Sequence, residues 1–288
     1  MLFESADEFV KSPRRAVTVF GMAGVGKTRL SAMLRASNWF HYSADYRIGT
    51  RYMGEAIVDN FKREAMKVPF LAELLRSDSI YISSNLTFDN LDPLSTYLGT
   101  PGNPDKGGLP LGEYQRRQEQ HRVAEVAALQ DVPHFIERAK ALYGYDDFIT
   151  DTGGSLIEVI DPTNPADPVI ETLASATALL YIRGTGKDAA ELVKRFKKSP
   201  KPLYYRPEFL VEKWAEYKLI QGIVDDYDVD PSGFGLWSFE ALLQDRLPRY
   251  QTLADNFGYT VEASDLAMVR DGDEFVDLMA AAIEKRMR

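Results

Sequence analysis

The sequence predicts an α/β fold built on a parallel sheet, and three features carry that prediction. Short apolar β-type runs alternate with helical patterns, each run is continuously apolar, and the first run feeds a glycine-rich loop that opens a helix. The runs fall at residues 16–20, 39–43, 147–150, 178–182 and 258–261. A strand covered on both faces has no solvent side toward which polar residues can alternate. Unbroken stretches such as Ala16-Val17-Thr18-Val19-Phe20 and Leu179-Leu180-Tyr181-Ile182 therefore mark interior strands of a sheet with helices on both sides. Helical patterns at 27–36, 114–129, 132–142 and 239–256 supply the covering layers. The expected architecture is three-layered, with about five strands.

Composition narrows the chemistry. Of 288 residues, 45% are hydrophobic and 27% charged, enough apolar mass for a core without disulfides or structural metal. The absence of cysteine excludes a disulfide framework, a thiolate zinc site and a thiol nucleophile. Three histidines (His41, His121 and His134) do not make a histidine-rich metal centre. The N-terminus is acidic and lacks the basic-then-apolar layout of a signal peptide, and no apolar run is long enough to span a membrane. A cytoplasmic protein is expected. A net charge of −9 disfavours general affinity for nucleic acid or anionic lipid. Local cationic clusters remain at Arg116-Arg117 and over 194–201, where five of eight residues are Lys or Arg.

The glycine loop is the most specific signal. Gly21-Met22-Ala23-Gly24-Val25-Gly26-Lys27-Thr28 fits the phosphate-loop pattern G-x-x-x-x-G-K-[ST] at every fixed position, between a β-branched strand and a helix. Glycines let successive backbone N–H groups turn inward on phosphate oxygens, and the following helix adds its positive end. The loop residues, with Arg29 after them, are thus expected to bind ATP. Lys27 would bridge the outer phosphates, and Thr28 would offer its hydroxyl to Mg²⁺. The fold expectation sharpens to a P-loop NTPase. Asp151, at the carboxyl end of the third strand before Gly153-Gly154, stands where a carboxylate would reach Mg²⁺ directly or through water.

Beyond the loop, the order of features resembles the small-molecule and nucleotide kinases of the P-loop class, most nearly the shikimate-kinase-like enzymes. The resemblance covers about half of the chain and implies a set of roles. Asp45, after the second strand, would take the acceptor's proton, or hold the metal and orient the acceptor. Phe61-Lys62-Arg63-Glu64 is similar to a substrate-binding Phe-Arg segment, making Arg63 an anion ligand, with Arg47 and Arg51 as competitors. Gly153 and Gly154 would lie under the substrate. The family's lid arginine has its nearest counterpart at Lys201 in Lys201-Pro202-Leu203, with Arg206 and Arg195 as alternatives. Arg246 in Arg246-Leu247-Pro248-Arg249-Tyr250 matches an arginine that grips the substrate's acid group, and Arg249 stands where the family has leucine.

Two segments interrupt the strand–helix rhythm. Residues of about 65–146 and 183–238 read as insertions in a single domain, the first covering the acceptor side and the second forming the lid region. The acceptor-side insertion is longer than the family's, so the acceptor is expected to differ from shikimate. Tyr81, Phe88, Tyr97 and Tyr114 are candidates to stack on a ring. Two functions remain open: an ATP-dependent kinase acting on a small-molecule or nucleotide-like acceptor, or a regulatory ATPase switch that binds a protein partner.

Overall fold

The computed structural model describes residues 1–288. Along the chain run α1 (Ala6–Lys11), β1 (Ala16–Phe20), α2 (Lys27–Ala36), β2 (Trp39–Ser43), α3 (Ala44–Arg47), α4 (Gly54–Ala65), α5 (Pro69–Arg76) and α6 (Asp92–Leu98). Then follow α7 (Leu111–Gln130), α8 (Val132–Tyr143), β3 (Asp147–Asp151), α9 (Leu156–Val159), α10 (Pro168–Ala176), β4 (Ala178–Arg183) and α11 (Gly186–Lys198). The last elements are α12 (Pro207–Gln221), α13 (Pro231–Phe257), β5 (Gly258–Glu262), α14 (Ala263–Met268) and α15 (Gly272–Met287). They divide into two compact units, one formed by Met1–Ala44, Val126–Pro200 and Leu236–Arg288, the other by Asp45–Glu125 and Lys201–Gly235.

The first unit holds the whole sheet. Five parallel strands lie in the order β2-β3-β1-β4-β5, the P-loop NTPase arrangement that the sequence predicts. Right-handed crossovers dictate which face each connection takes. The chain leaves β1 toward β2 through α2 and thereafter moves the opposite way across the sheet, so α2 lies on one face and the connection after β3 on the other. The carboxyl ends of β1 and its neighbours β3 and β4 thus open into a crevice, the position at which open α/β sheets bind ligands.

Local signals set the pieces in place. Arg15, just before β1, grips Asp147 at the start of β3 with Nη2–Oδ2 and Nε–Oδ1 distances of 2.6 and 2.9 Å, which pins Ala16 opposite Phe148. Gly144 ends α8 in the left-handed region at φ +76°, and its N–H donates to the Lys140 carbonyl while that of Tyr145 returns to Ala139. The Asp167 carboxylate caps α10 by accepting from the N–H groups of Val169 and Ile170. Thr185 and Asp188 cap α11 reciprocally. The core between the layers includes Val17, Val19, Phe20, Leu34, Phe148, Ile149, Leu180, Ile182, Phe275 and Ile283, all at 2% exposure or less.

The second unit is helical and has a core of its own. Phe234 packs against Trp214 and Tyr217 at centroid distances of 4.9 and 5.5 Å, and Tyr205 stacks on Phe209. Tyr97 and Tyr114 are buried here, and Tyr46 lies 4.7 Å from Phe88. Tyr81, by contrast, is exposed. The Arg117 guanidinium is buried and satisfied: it donates to the Tyr97 carbonyl, Asn60 and Glu113 and lies over the Tyr97 ring. Arg117 is thus a core arginine, while Arg116 pairs with Glu113 at the surface. The turn-rich stretch after α6 is ordered by a return pair, Gly102 N–H to Leu109 O and Leu109 N–H to Thr100 O. The acidic run 225–230 works locally: Asp225 caps a 3₁₀ turn, Asp226 accepts from Trp214 and Lys218, and Asp230 accepts from the Gly233 N–H. No helix is long and apolar enough to cross a membrane.

Candidate functional site

The site begins at the end of β1. Gly24 and Gly26 adopt φ of +87° and +102°, a region that side chains oppose, and these two bends wrap the chain into a loop. Two of the loop's side chains turn into the protein. Met22 and Val25 are buried against Gly184 after β4, where a Cβ on Gly184 would strike the Met22 methyl group. Ala23 and Gly24 stay exposed at the rim. The apolar members thus anchor the loop and leave its backbone to face outward.

α2 starts at once from this loop, and its N-cap Gly26 offers no side chain to the first-turn N–H groups. No acidic residue stands in that first turn either. An uncapped helix start without acidic side chains is a receptor for anions. Lys27 folds back and donates to the carbonyls of Gly21 and Met22 at 2.6 and 2.9 Å, lying along the loop that it would share with phosphate. Thr28 and Arg29 are exposed beside it.

A second cation reaches the loop from α11. The Arg195 guanidinium fills the space that a Cβ on Gly24 would need. No carboxylate pairs with it, unlike Arg183, which is bound to Glu262, or Lys197, 2.6 Å from Glu240. Phe196, stacked on Phe239 with centroids 3.9 Å apart, fixes the inner face of α11 and sets the side on which Arg195 emerges. Of the three candidate lid cations that the sequence offers, Arg195 is the one placed at the glycine loop within this unit. Lys201 and Arg206 belong to the second unit, where Lys201 lies 3.3 Å from Asp92 and Arg206 precedes α12.

The third wall is the end of β3. Asp151 is buried, and the register sets it beside Val19 of β1 on one side and Ser43 of β2 on the other. Thr152 ties the next peptide down by donating from both N–H and Oγ1 to the Val19 carbonyl. Gly153 and Gly154 then turn into α9, and Tyr250 donates its hydroxyl to the Gly154 carbonyl. Arg246 Nη1 lies 3.7 Å from the point where a Cβ on Gly154 would stand. Its Nε donates to Glu158 Oε1 at 2.9 Å, and Glu158 is wholly buried, with Arg249 Nη1 3.7 Å from its other oxygen. Glu158 is a site residue that the sequence reading missed. Its signal was a single carboxylate inside the apolar run Leu156-Ile157-Glu158-Val159-Ile160.

Beside the loop opens a cleft of about 490 Å³, apolar along Leu30, Met33, Leu266 and Val269, with Arg29 and Lys187 at its edge. Tyr181, stacked between Phe20 and Tyr250 behind the loop, has its phenol pushed up to about 12 by burial and stays neutral. The Arg183 guanidinium holds the Glu262 carboxyl below its usual range.

Asp45, Arg51 and Arg63 all lie in the second unit. Asp45 is half-buried in the first turn of α3, and Arg51 is exposed in the π-helical turn Ile48–Tyr52. Arg63 is exposed on α4 and reaches Asn60 at 3.4 Å, while Arg47 lies over the Tyr52 ring. No group of three or more His, Asp or Glu side chains stands together as a metal cage. Mg²⁺ fits under that condition, because it keeps waters and phosphate oxygens and takes only one or two protein ligands. Thr28 and Asp151, whose side chain keeps 11% exposure at the carboxyl end of β3, are the residues that would serve it.

No family model matches the chain, and no curated protein sequence is significantly similar to it. Among solved structures, the shikimate kinase from Bacteroides thetaiotaomicron is similar at 14% identity and a TM-score of 0.37, over 94% of this chain and 95% of that one. A likeness that distant carries no argument about chemistry, which rests on the side chains at the loop.

Proposed function

We propose that the chain is an ATP- and Mg²⁺-dependent phosphotransferase that passes a phosphoryl group directly to a small-molecule or nucleotide-like acceptor. The observation that carries this reading is the Arg195 guanidinium, without an ion-pair partner, lying against Gly24 of a phosphate loop whose Lys27 is already in place. Two cations that converge on one glycine loop suit a group whose charge grows on its outermost oxygens during transfer. The apolar cleft beside Arg29 suits a nucleoside.

In this reading the acceptor's oxygen bonds to the γ-phosphorus as the bond from that phosphorus to the β,γ-bridging oxygen breaks. The electron pair leaves with ADP. Lys27 and Arg195 take up the charge on the transferring group, and the loop N–H groups hold the phosphates that remain. Thr28 and Asp151 would hold Mg²⁺, which would supply positive charge against the phosphate oxygens. Arg246, braced on Glu158 beside Gly154, supplies a cation for an anionic acceptor. Asp45 is the proposed base for the acceptor's proton, and Arg51, Arg63, Lys201 and Arg206 are proposed as further substrate and lid cations.

The test starts with nucleotide. Lys27→Ala should keep the fold, as judged by circular dichroism, and lower affinity for ATP at least tenfold in calorimetric titration. An unchanged dissociation constant would remove the phosphate-loop assignment and the function with it.

A further inference from the structure

β2 is an edge strand and pairs in parallel with β3, with His41 opposite Ile149 and Ser43 opposite Asp151. Because side chains alternate along a strand, His41 and Ser43 share a face with Ile149 and Asp151. Asp151 is therefore the diagonal neighbour of His41, a distance that an aromatic ring can bridge. The imidazole does so: His41 Nε2 lies 3.2 Å from Asp151 Oδ1. The His41 side chain is 3% exposed and that of Asp151 11%. Oδ1 itself is shut off from water and accepts no hydrogen bond, so the exposure that Asp151 retains lies elsewhere on its carboxyl group.

A buried carboxylate oxygen without a donor is costly, and the only imidazole at the carboxyl end of β3 is aimed at this one. We infer that His41 is a positioning residue for the metal: its Nε2–H holds Oδ1 of Asp151 and leaves the other oxygen to enter the Mg²⁺ shell. The inference rests on the proposed nucleotide–metal reading of Asp151. It adds a residue that no phosphate-loop pattern contains, fixed by strand register and not by motif. Two contacts hold the pair steady. β2 keeps His41 in register, and the two hydrogen bonds from Thr152 to the Val19 carbonyl hold the backbone immediately after Asp151 against β1. A slight rotation of Asp151 would bring Oδ1 and Nε2–H into line.

Groups that orient a metal ligand from behind typically matter 10- to 100-fold in metal affinity. The test uses Mn²⁺ as the probe metal and the β,γ-imido analogue of ATP as the probe nucleotide. His41→Phe keeps a ring but no N–H, and His41→Gln returns an amide N–H near the position of Nε2. Electron paramagnetic resonance should show Mn²⁺ affinity in the nucleotide complex falling about 10- to 100-fold in His41→Phe and largely recovering in His41→Gln. Calorimetry in EDTA should show metal-free nucleotide affinity within about threefold of wild type in both. In an Asp151→Asn background, His41→Phe should produce no further loss of Mn²⁺ affinity, because the residue acts through that carboxylate. The inference falls if His41→Phe binds Mn²⁺ as wild type does, or if the loss persists in full without the Asp151 carboxylate. Wild-type protein that binds nucleotide with no metal dependence would instead overturn the reading on which it stands.

Discussion

Arg195 is exposed, yet its place against Gly24 gives it a defined task in the proposed transfer. An arginine that stabilises charge in a transition state contributes little to ground-state binding, so its removal should separate two ligands that differ only in that charge. Arg195→Ala should hold ADP·Mg²⁺ within about threefold of wild-type affinity and lose at least about tenfold for ADP with aluminium fluoride, an analogue of the transferring group. Arg195→Lys should recover only part of the loss, since an ammonium supplies a point charge and not a planar fork. Equal losses for both ligands would reduce Arg195 to a generic phosphate contact. The residue scale also shows what the sequence could and could not reveal. The loop from Gly21 to Thr28 was legible because a local motif encodes a local shape. His41 and Glu158 were not, because their roles depend on strand register and on the packing of α13 over α9, which no spacing along the chain records.

Elements were more legible than contacts. Strands expected at 16–20 and 39–43 fall at those bounds, and the other three extend by one residue, because continuous apolar runs bounded by turn formers leave few alternatives. α13 is harder to read: Pro248 lies inside it, where the missing N–H cannot reach the carbonyl of Gln244. Burial of Leu242, Leu243, Tyr250, Leu253 and Ala254 on either side of the proline carries the helix through. Pro248 itself is exposed, so Pro248→Ala restores a backbone donor without disturbing the core. Urea unfolding should show a gain in stability of about 1–3 kcal/mol. A loss instead would mean that Arg246 needs the proline's local geometry to reach Glu158, and the Arg246 contact would then be the feature that the helix is shaped around.

At the scale of the molecule, the two units should respond to different variables. The proposed nucleotide site belongs to the first, where the loop, Arg195 and Asp151 lie. The second carries a titratable group of its own, His121 on α7, which packs on Tyr204 with Glu125 3.5 Å from its Nδ1. Burial lowers its pKa from 6.5 to about 4, and the nearby carboxylate, at that distance and outside hydrogen-bonding geometry, does not offset the desolvation. A histidine buried neutral binds fewer protons than its unfolded counterpart between pH 6.5 and 4. Stability is therefore intact above the unfolded value and falls as pH drops through that window, by up to about 3 kcal/mol near pH 4. Tryptophans report each unit separately, Trp39 in the first and Trp214 in the second. In single-tryptophan variants, lowering pH from 7.5 to 5 should reduce the urea midpoint read at Trp214 more than that read at Trp39. The β,γ-imido ATP analogue with Mg²⁺ should do the reverse, raising the Trp39 midpoint by an amount that follows ligand concentration over its dissociation constant. His121→Phe should abolish the selective acid sensitivity at Trp214 and leave the nucleotide effect at Trp39 intact. If both tryptophans move together under each variable, the two units unfold as one cooperative body, and the acid sensitivity of His121 is spread over the whole chain.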